Sequence, residues 1–117
     1  MLILSLNIRG VGGPHKKCAL GRLVSSLKPD IILLQETMAE SCKAIDFMSG
    51  IVGNWFMSAI DAVGLFGGLL LAWDPKKASF DAFNSYASIS LQGRIVGDSQ
   101  IVKVVNVYGP YVDRIPF

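Results

Sequence analysis

The hydrophobic residues of this chain fall into short runs separated by turn residues, a pattern that predicts strands joined by helices and turns. The runs over 2–6 and 31–35 are rich in Ile and Leu and are predicted to be buried strands. Apolar residues at helical spacing predict a helix over 15–27, which ends before Pro29 because the residue before proline avoids the helical conformation. A weaker helix is predicted over 39–48, closed by Gly50.

From residue 54 onward the pattern predicts strands. Their predicted ranges are 54–60, 67–73, 79–84, 86–91, 94–96 and 101–108, with turns at 61–64 and 97–98. The segments 31–34 and 69–72 are apolar on both faces, as central strands covered on both sides would be. The two helices can cover one face of such a sheet, and the other face needs a second layer. We expect the late strands to fall short of building that layer, which would leave an apolar sheet face exposed.

Composition narrows the possibilities only in part. The chain has 117 residues, which is one domain or part of one, and 51% of them are hydrophobic. A net charge of +2 and a pI near 8.6 do not indicate a strongly basic nucleic-acid-binding domain, although they permit contact with phosphate. No apolar run reaches the roughly 18 residues of a transmembrane helix, and the amino terminus lacks the basic region of a signal peptide. Cys18 and Cys42 are isolated, which favours structural roles in a reducing compartment.

Three polar residues stand where apolar runs stop, and they are the candidate chemistry of the chain. Asn7 follows the first run, Glu36 follows the second, and Tyr108 follows the last. Because ligands of open α/β sheets bind outside the carboxyl ends of strands, these side chains are predicted to form a site suited to one divalent metal and one phosphate. The alternatives are ordinary: Asn7 would satisfy the turn backbone, Glu36 would be solvated, and Tyr108 would lie at the rim of the core.

The glycine-rich turn after the first strand is not a nucleotide-binding loop. No Gly-Lys-Ser/Thr closes it, and Pro14 removes an amide donor. Arg9, Lys16 and Lys17 are candidates for contact with a nucleic-acid backbone, and a solvated basic turn is the alternative. His15, the single histidine, has no Gly-x-Ser-x-Gly partner motif and is predicted to be a polar residue at the helix start.

Four segments in a fixed order give the chain a family resemblance that covers essentially its whole length. They are Leu-Ser-Leu-Asn-Ile-Arg-Gly at 4–10, the 29–37 segment ending Leu-Gln-Glu-Thr, the 67–75 segment Gly-Gly-Leu-Leu-Leu-Ala-Trp-Asp-Pro, and Asn-Val-Tyr-Gly-Pro at 106–110. Together they resemble the amino-terminal half of the endonuclease/exonuclease/phosphatase superfamily. Within it, they are most similar to the endonuclease domain of plant LINE-type (non-LTR) retrotransposons.

The resemblance implies an α/β (α+β) chain, the first half of a four-layer α/β sandwich with a mixed β-sheet and helices on one face. It also implies hydrolysis of DNA phosphodiesters with Mg²⁺ or Mn²⁺, and an intracellular location that is nuclear by resemblance, with the cytoplasm as the alternative. Glu36 would bind the metal, Asn7 would help position the metal or the attacking water, and Tyr108 would contact the scissile phosphate. Arg9, Lys16 and Lys17 would lie near the DNA-binding rim.

The family's later motifs are missing from this sequence: the Asp-x-Asn pair, a late Asp and the terminal Ser-Asp-His. Residues 1–117 are therefore expected to be a partial domain that is catalytically incomplete on its own and binds metal weakly, because such constellations act as units. One alternative is a non-catalytic interaction module that oligomerises, or binds a complementary half, through its exposed sheet face. Another is a relative from the phosphatase branch.

Overall fold

The computed structural model describes residues 1–64 and 66–108 of the chain. Its two helices are α1 (Pro14–Leu27) and α2 (Ser41–Ser49). Its strands are β1 (Ile3–Asn7), β2 (Ile31–Gln35), β3 (Phe56–Ile60), β4 (Leu69–Trp73), β5 (Ala78–Asn84), β6 (Ser88–Ile95) and β7 (Ile101–Val107). The predicted α/β (α+β) class is confirmed, with helices on one face of a mixed sheet. No helix within the described ranges is long and apolar enough to cross a membrane.

The helix predicted over 15–27 forms one residue earlier, at Pro14, a position where proline's fixed φ suits the first turn and its missing N–H is not needed. The helix ends at Lys28, which adopts a left-handed conformation (φ 50°) and donates its N–H to the carbonyl of Val24 at 2.8 Å. The separate segments predicted over 86–91 and 94–96 were wrong, because β6 runs through both. Gly93 permits this, since β5 passes so close at Ser79 and Phe80 that no larger residue fits.

The first sheet has the strand order β1-β2-β4-β3, with β1 and β2 parallel and the other pairs antiparallel. The prediction of central strands at 31–34 and 69–72 is confirmed, because β2 and β4 occupy the middle of the sheet and these residues are buried on both faces. The register pairs Asn7 with Gln35, Gln35 with Leu69, and Leu69 with Ile60. The carboxyl ends of β1, β2 and β3 and the amino end of β4 therefore lie side by side at one end of the first sheet. This end of the sheet is called the site edge below.

The second layer exists, and the expectation that the late strands would fall short of building it was wrong. Strands β5, β6 and β7 form an antiparallel three-stranded sheet that packs against the face of the first sheet opposite the helices. The buried residues at this contact are Ile31, Leu33, Leu69, Leu71, Trp73, Ile89, Leu91 and Val104. The reason is the alternation in β6 and β7, which directs every second side chain inward and so supplies a largely apolar inner face from only three strands.

Exposed apolar side chains occur on the outer face of the second sheet, and a few remain exposed on the first sheet. The outward-facing residues of β5 and β7 include Phe83, Ile101 and Val107, whose exposed fractions are 58%, 62% and 59%. Polar residues such as Lys103 and Arg94 lie on the same side of this sheet, so the face is mixed. Among the described strands, β7 pairs only with β6, which leaves its other edge unpaired.

Candidate functional site

Asn7 and Glu36, predicted from separate runs, lie in contact at the shared edge of the first sheet. The side-chain amide Nδ2 of Asn7 donates a hydrogen bond to Oε2 of Glu36. The Oδ1 atom of Asn7 accepts a hydrogen bond from the backbone N–H of Arg9 at 3.2 Å, which fixes the orientation of the amide. Parallel pairing of β1 and β2 causes this meeting, because it brings both carboxyl ends to one place.

Glu36 lies in a left-handed backbone conformation with φ 54°, as does Met38 with φ 56°. Non-glycine residues adopt this conformation at a cost of about 1 kcal/mol or more, and they persist in it only where the surroundings fix it. Here the loop is bonded on both sides. The carbonyl of Glu36 accepts the N–H of Gly10 at 2.7 Å, and the N–H of Met38 donates to the carbonyl of Gly67 at 2.6 Å. The Glu36 carboxylate is thus held on a rigid backbone.

Two glycines at the start of β4 give the Glu36 loop its room. A Cβ atom on Gly67 would lie 3.1 Å from both Cα and Cγ of Glu36, closer than ordinary van der Waals contact. A Cβ atom on Gly68 would overlap Oγ1 of Thr37 and approach the carbonyl oxygen of Ile60 at 3.2 Å. Gly68 also has φ 86°, a conformation suited to glycine. The hydroxyl of Thr37 is fully buried and has no hydrogen-bond partner among the described residues.

Asn106 is a buried polar neighbour of this loop that the sequence analysis did not single out as a candidate. It is buried, and its Nδ2 donates to the carbonyl oxygens of Leu34 at 3.1 Å and Leu70 at 2.9 Å, which belong to the two central strands of the other sheet. Its Oδ1 accepts a hydrogen bond from Nε2 of Gln35 at 2.9 Å. Asn106 therefore joins β7 to the backbone just before Glu36. One signal was present: an amide at an inward position of a strand otherwise rich in valine.

Tyr108 lies at the same edge, one residue beyond β7. Its ring packs edge-to-face on Phe66, with ring centroids 4.7 Å apart. Its backbone N–H donates to the carbonyl of Ala87 at 3.1 Å, which fixes it against the β5–β6 turn. Phe66 directly precedes Gly67, the residue that packs on Glu36, so the aromatic pair is one residue along the chain from that contact.

The three basic candidates occupy different positions. Arg9 is exposed in the turn after Asn7, with φ 52°. Lys16 turns back into the protein, where its Nζ donates to the carbonyl oxygens of Ile8, at 2.8 Å, and Arg9, so its charge closes the β1–α1 turn. Lys17 extends away from this edge and its Nζ lies beside Gly50 at the end of α2. Of the three side chains, only that of Arg9 is exposed beside Asn7.

Carboxylates with shifted pKa values lie on both sides of the molecule. At the site edge, hydrogen bonds from the hydroxyl and backbone N–H of Ser41 lower the pKa of Asp61. At the opposite edge, Lys77 lies 2.8 Å from Asp30 and lowers the pKa of that carboxyl, while Asp30 raises the pKa of Lys77. Asp30 also accepts the N–H of Leu2 at 2.8 Å, so it secures the start of β1. Within the described ranges, no three His, Cys, Asp or Glu residues cluster closely enough to hold a metal ion by themselves.

Comparison with known proteins identifies the fold. No family model and no curated protein matches the chain. Among solved structures, the AP endonuclease LMAP from Leishmania major superposes with a TM-score of 0.66 at 18% identity, covering 91% of this chain and 39% of that one. The APE2 catalytic domain from Xenopus laevis superposes with a TM-score of 0.67 at 20% identity, covering 97% of this chain and 46% of that one. A D. rerio TDP2 humanized by 14 mutations superposes with a TM-score of 0.61 at 12% identity, covering 88% of this chain and 44% of that one. The chain spans less than half the length of each of these structures.

Proposed function

The chain has the fold of the endonuclease/exonuclease/phosphatase superfamily, and from that premise we propose that it is the first part of a metal-dependent phosphodiesterase domain of the retrotransposon DNA-endonuclease type. The observation that carries the proposal is the contact of Asn7 with Glu36 on a loop held in a left-handed conformation. Strained backbone conformations that persist because surrounding contacts hold them are concentrated at sites that must hold a reactive group still. DNA is the proposed substrate and the nucleus the proposed location.

The residues at this edge fit one divalent cation with several waters. Mg²⁺ is commonly bound by one or two carboxylates, with waters and substrate phosphate completing its shell. Glu36 would supply the carboxylate, and Asn7 would orient it while offering an amide oxygen nearby. When bound, Mg²⁺ or Mn²⁺ would neutralise charge on a phosphate oxygen. Since no group of three His, Cys, Asp or Glu side chains forms among the described residues, weak binding is expected.

Other residues of the edge would hold the substrate. The ring of Tyr108, fixed against Phe66, would present its hydroxyl to a phosphate oxygen. Arg9 would contact the DNA backbone beside Asn7, whereas Lys16 would act by keeping the β1–α1 turn closed. A role for Lys17 at a DNA rim is also proposed, although that side chain lies at the end of α2. Because this sequence lacks the family's Asp-x-Asn and Ser-Asp-His motifs, the chain alone is proposed to be catalytically incomplete.

Manganese titration tests the site directly. In NMR spectra, paramagnetic Mn²⁺ is expected to broaden the signals of Asn7 and Glu36 first, and Mg²⁺ in excess is expected to reverse the broadening. Glu36→Gln should abolish this local effect because it removes the charged ligand, whereas Glu40→Gln should preserve it, since Glu40 is an exposed carboxylate at the start of α2. Broadening that is unchanged in Glu36→Gln would refute the metal site.

Plasmid nicking tests incompleteness separately. Supercoiled plasmid in Mg²⁺ is expected to show no nicking that depends on Glu36, with the wild type matching Glu36→Gln and an EDTA control. Nicking that both Glu36→Gln and EDTA remove would show that the chain is an active enzyme by itself and would overturn this part of the proposal.

A second candidate function is an interaction module. The exposed apolar residues Phe83, Ile101 and Val107 on the outer face of the second sheet, next to the unpaired edge of β7, favour it. A second copy or a complementary half would then cover this face. Sedimentation equilibrium distinguishes the two functions, because a monomer at all concentrations would count against the module and a concentration-dependent dimer lost in Ile101→Lys would support it.

A further inference from the structure

A pocket lies on the Tyr108 side of the site edge, and apart from Tyr108 its lining residues have no part in the chemistry described above. It lies between the β3–β4 loop and the β5–β6 turn, with a volume of about 840 Å³. This is large enough for a planar ring system, since ligand sites commonly measure about 300–1,000 Å³. Its lining is mainly apolar, with polar groups confined to a few positions.

Aromatic rings form two sides of this pocket. Phe66 and Tyr108 pack edge-to-face and make one wall, held by the hydrogen bond from the N–H of Tyr108 to the carbonyl of Ala87. Tyr86 makes the other side at the tip of the β5–β6 turn, and 92% of its surface is exposed. Val63 extends the apolar surface and is also largely exposed. Large apolar groups left in solvent beside a candidate site indicate a ligand surface.

Two polar side chains of the pocket, Asp61 and Asn84, are held in defined orientations. Asp61 is fixed by two hydrogen bonds from Ser41, one of them from its backbone N–H at 2.6 Å, and these bonds lower the pKa of its carboxyl. Asn84 is held by a 2.9 Å hydrogen bond between its Oδ1 and the hydroxyl of Ser58. No lysine or arginine is found among the described residues that line the pocket. A phosphate would therefore be repelled here, whereas a neutral ring with an amino group would be accepted.

The pocket connects to Glu36 through two consecutive residues. Gly67 packs directly on Glu36, and Phe66, which precedes it, is part of the aromatic wall. A nucleic-acid strand with its phosphate at Glu36 would therefore bring a neighbouring base to the pocket. Stacking of a base on aromatic side chains requires only the π-face that every base has.

We propose that this pocket binds one unstacked base of a nucleic-acid strand, next to the phosphodiester at Glu36, with preference for bases that carry an exocyclic amino group. Tyr86, Phe66 and Tyr108 supply the stacking surface, and the Asp61 carboxylate accepts a hydrogen bond from the amino group. The proposal rests on the proposed function for its strand path, because that path places the phosphate at Glu36. It adds a site for the base and a rule for which bases fit.

Short single-stranded DNA containing one 2-aminopurine provides the probe, since stacking quenches its fluorescence. The full chain is expected to quench it, and Tyr86→Ala is expected to weaken binding about tenfold, the effect of losing one base–aromatic stack. Phe83→Ala is the matched control, because Phe83 is also an exposed aromatic residue and lies on the outer face of the second sheet, away from the pocket. Both residues are exposed, so both variants should keep the wild-type melting temperature.

The remaining measurements test the base preference and distinguish a failure of the base pocket from a failure of the proposed metal site. Unlabelled oligo-dA should displace the probe better than oligo-dT, and Asp61→Asn should reduce that difference. Equal binding by Tyr86→Ala and Phe83→Ala, or an absence of quenching while an apolar dye still binds the pocket, would overturn the proposal. Quenching that persists in Glu36→Gln, where manganese broadening is absent, would support the base pocket independently of the metal site.

Discussion

Replacing Gly67 with alanine should disturb Glu36 without touching any polar group of the site. The new Cβ atom would lie 3.1 Å from Cα and Cγ of Glu36 and 3.4 Å from its Cβ. Glu36 would have to move by a few tenths of an ångström, but its loop is bonded to Gly10 on one side and to β4 on the other. Because Gly67 does not have positive φ, the substitution acts through this contact and not through backbone strain.

The expected cost is about 1–2 kcal/mol of unfolding free energy, the lower part of the range for overpacking a closely packed position. This corresponds to a melting temperature lower by about 4 °C or more for a chain of this size. Gly68→Ala should cost more, about 3 kcal/mol, because it combines a positive φ with overlap on Thr37. Gly12→Ala is the control, since a Cβ atom at this position would have no neighbour within 4 Å and the φ of Gly12 is not positive.

Urea unfolding of the three variants, with backbone NMR of the folded proteins, measures both effects. The unfolding free energies should fall in the order Gly12→Ala, Gly67→Ala, Gly68→Ala, and the amide signals of Glu36 and Met38 should shift in Gly67→Ala. If Gly67→Ala unfolds like Gly12→Ala with unshifted Glu36 signals, the reasoning that Gly67 positions Glu36 is refuted.

Two further predictions concern the connections that hold the site in place. Asn106→Asp should lower the unfolding free energy by about 3 kcal/mol in urea titrations at neutral pH. The reason is that a carboxylate oxygen would face the carbonyls of Leu34 and Leu70, where the amide of Asn106 now donates. A loss below about 1 kcal/mol would contradict the assigned hydrogen bonds. The Asp30–Lys77 pair should make only a small contribution to stability, since Lys77 is half exposed and solvent screens the pair. Because the pair lowers the pKa of Asp30 from its ordinary value of 3.8, this contribution is present above that value and is lost as pH falls through the lower pKa of the folded state. The wild type and Asp30→Asn should therefore differ at neutral pH and converge in acid, and a difference that persists at the lowest pH would contradict the assignment.

The sequence placed the strands well because each is a separate apolar run between turn residues. It also indicated that Asn7 and Glu36 would meet, since both follow strands that pair in parallel. It did not show how Glu36 is held. Gly67 and Glu36 are far apart in the chain, and their contact depends on the antiparallel register of β2 with β4, which no local pattern specifies.

The second sheet also shows the difference between what local sequence pattern indicates and what contacts between distant residues decide. Alternation in β6 and β7 was visible, but the packing of that alternating face onto the first sheet depends on how two sheets stack. Asn106 illustrates it best. In the sequence it is simply a polar residue in a strand that is otherwise rich in valine. Its amide reaches two main-chain carbonyls and Gln35 only because β7 packs across β2 and β4.

The sequence by itself thus determined which segments are strands and helices, which strands are central, and which polar residues end the first two strands. These features depend on the periodicity of neighbouring residues, which determines what each segment can bury. The tertiary structure alone decided that three strands cover the second face, that Gly67 fits against Glu36, and that aromatic rings from three loops surround one pocket. Those features depend on contacts between residues distant in the chain, which sheet register and sheet packing bring together.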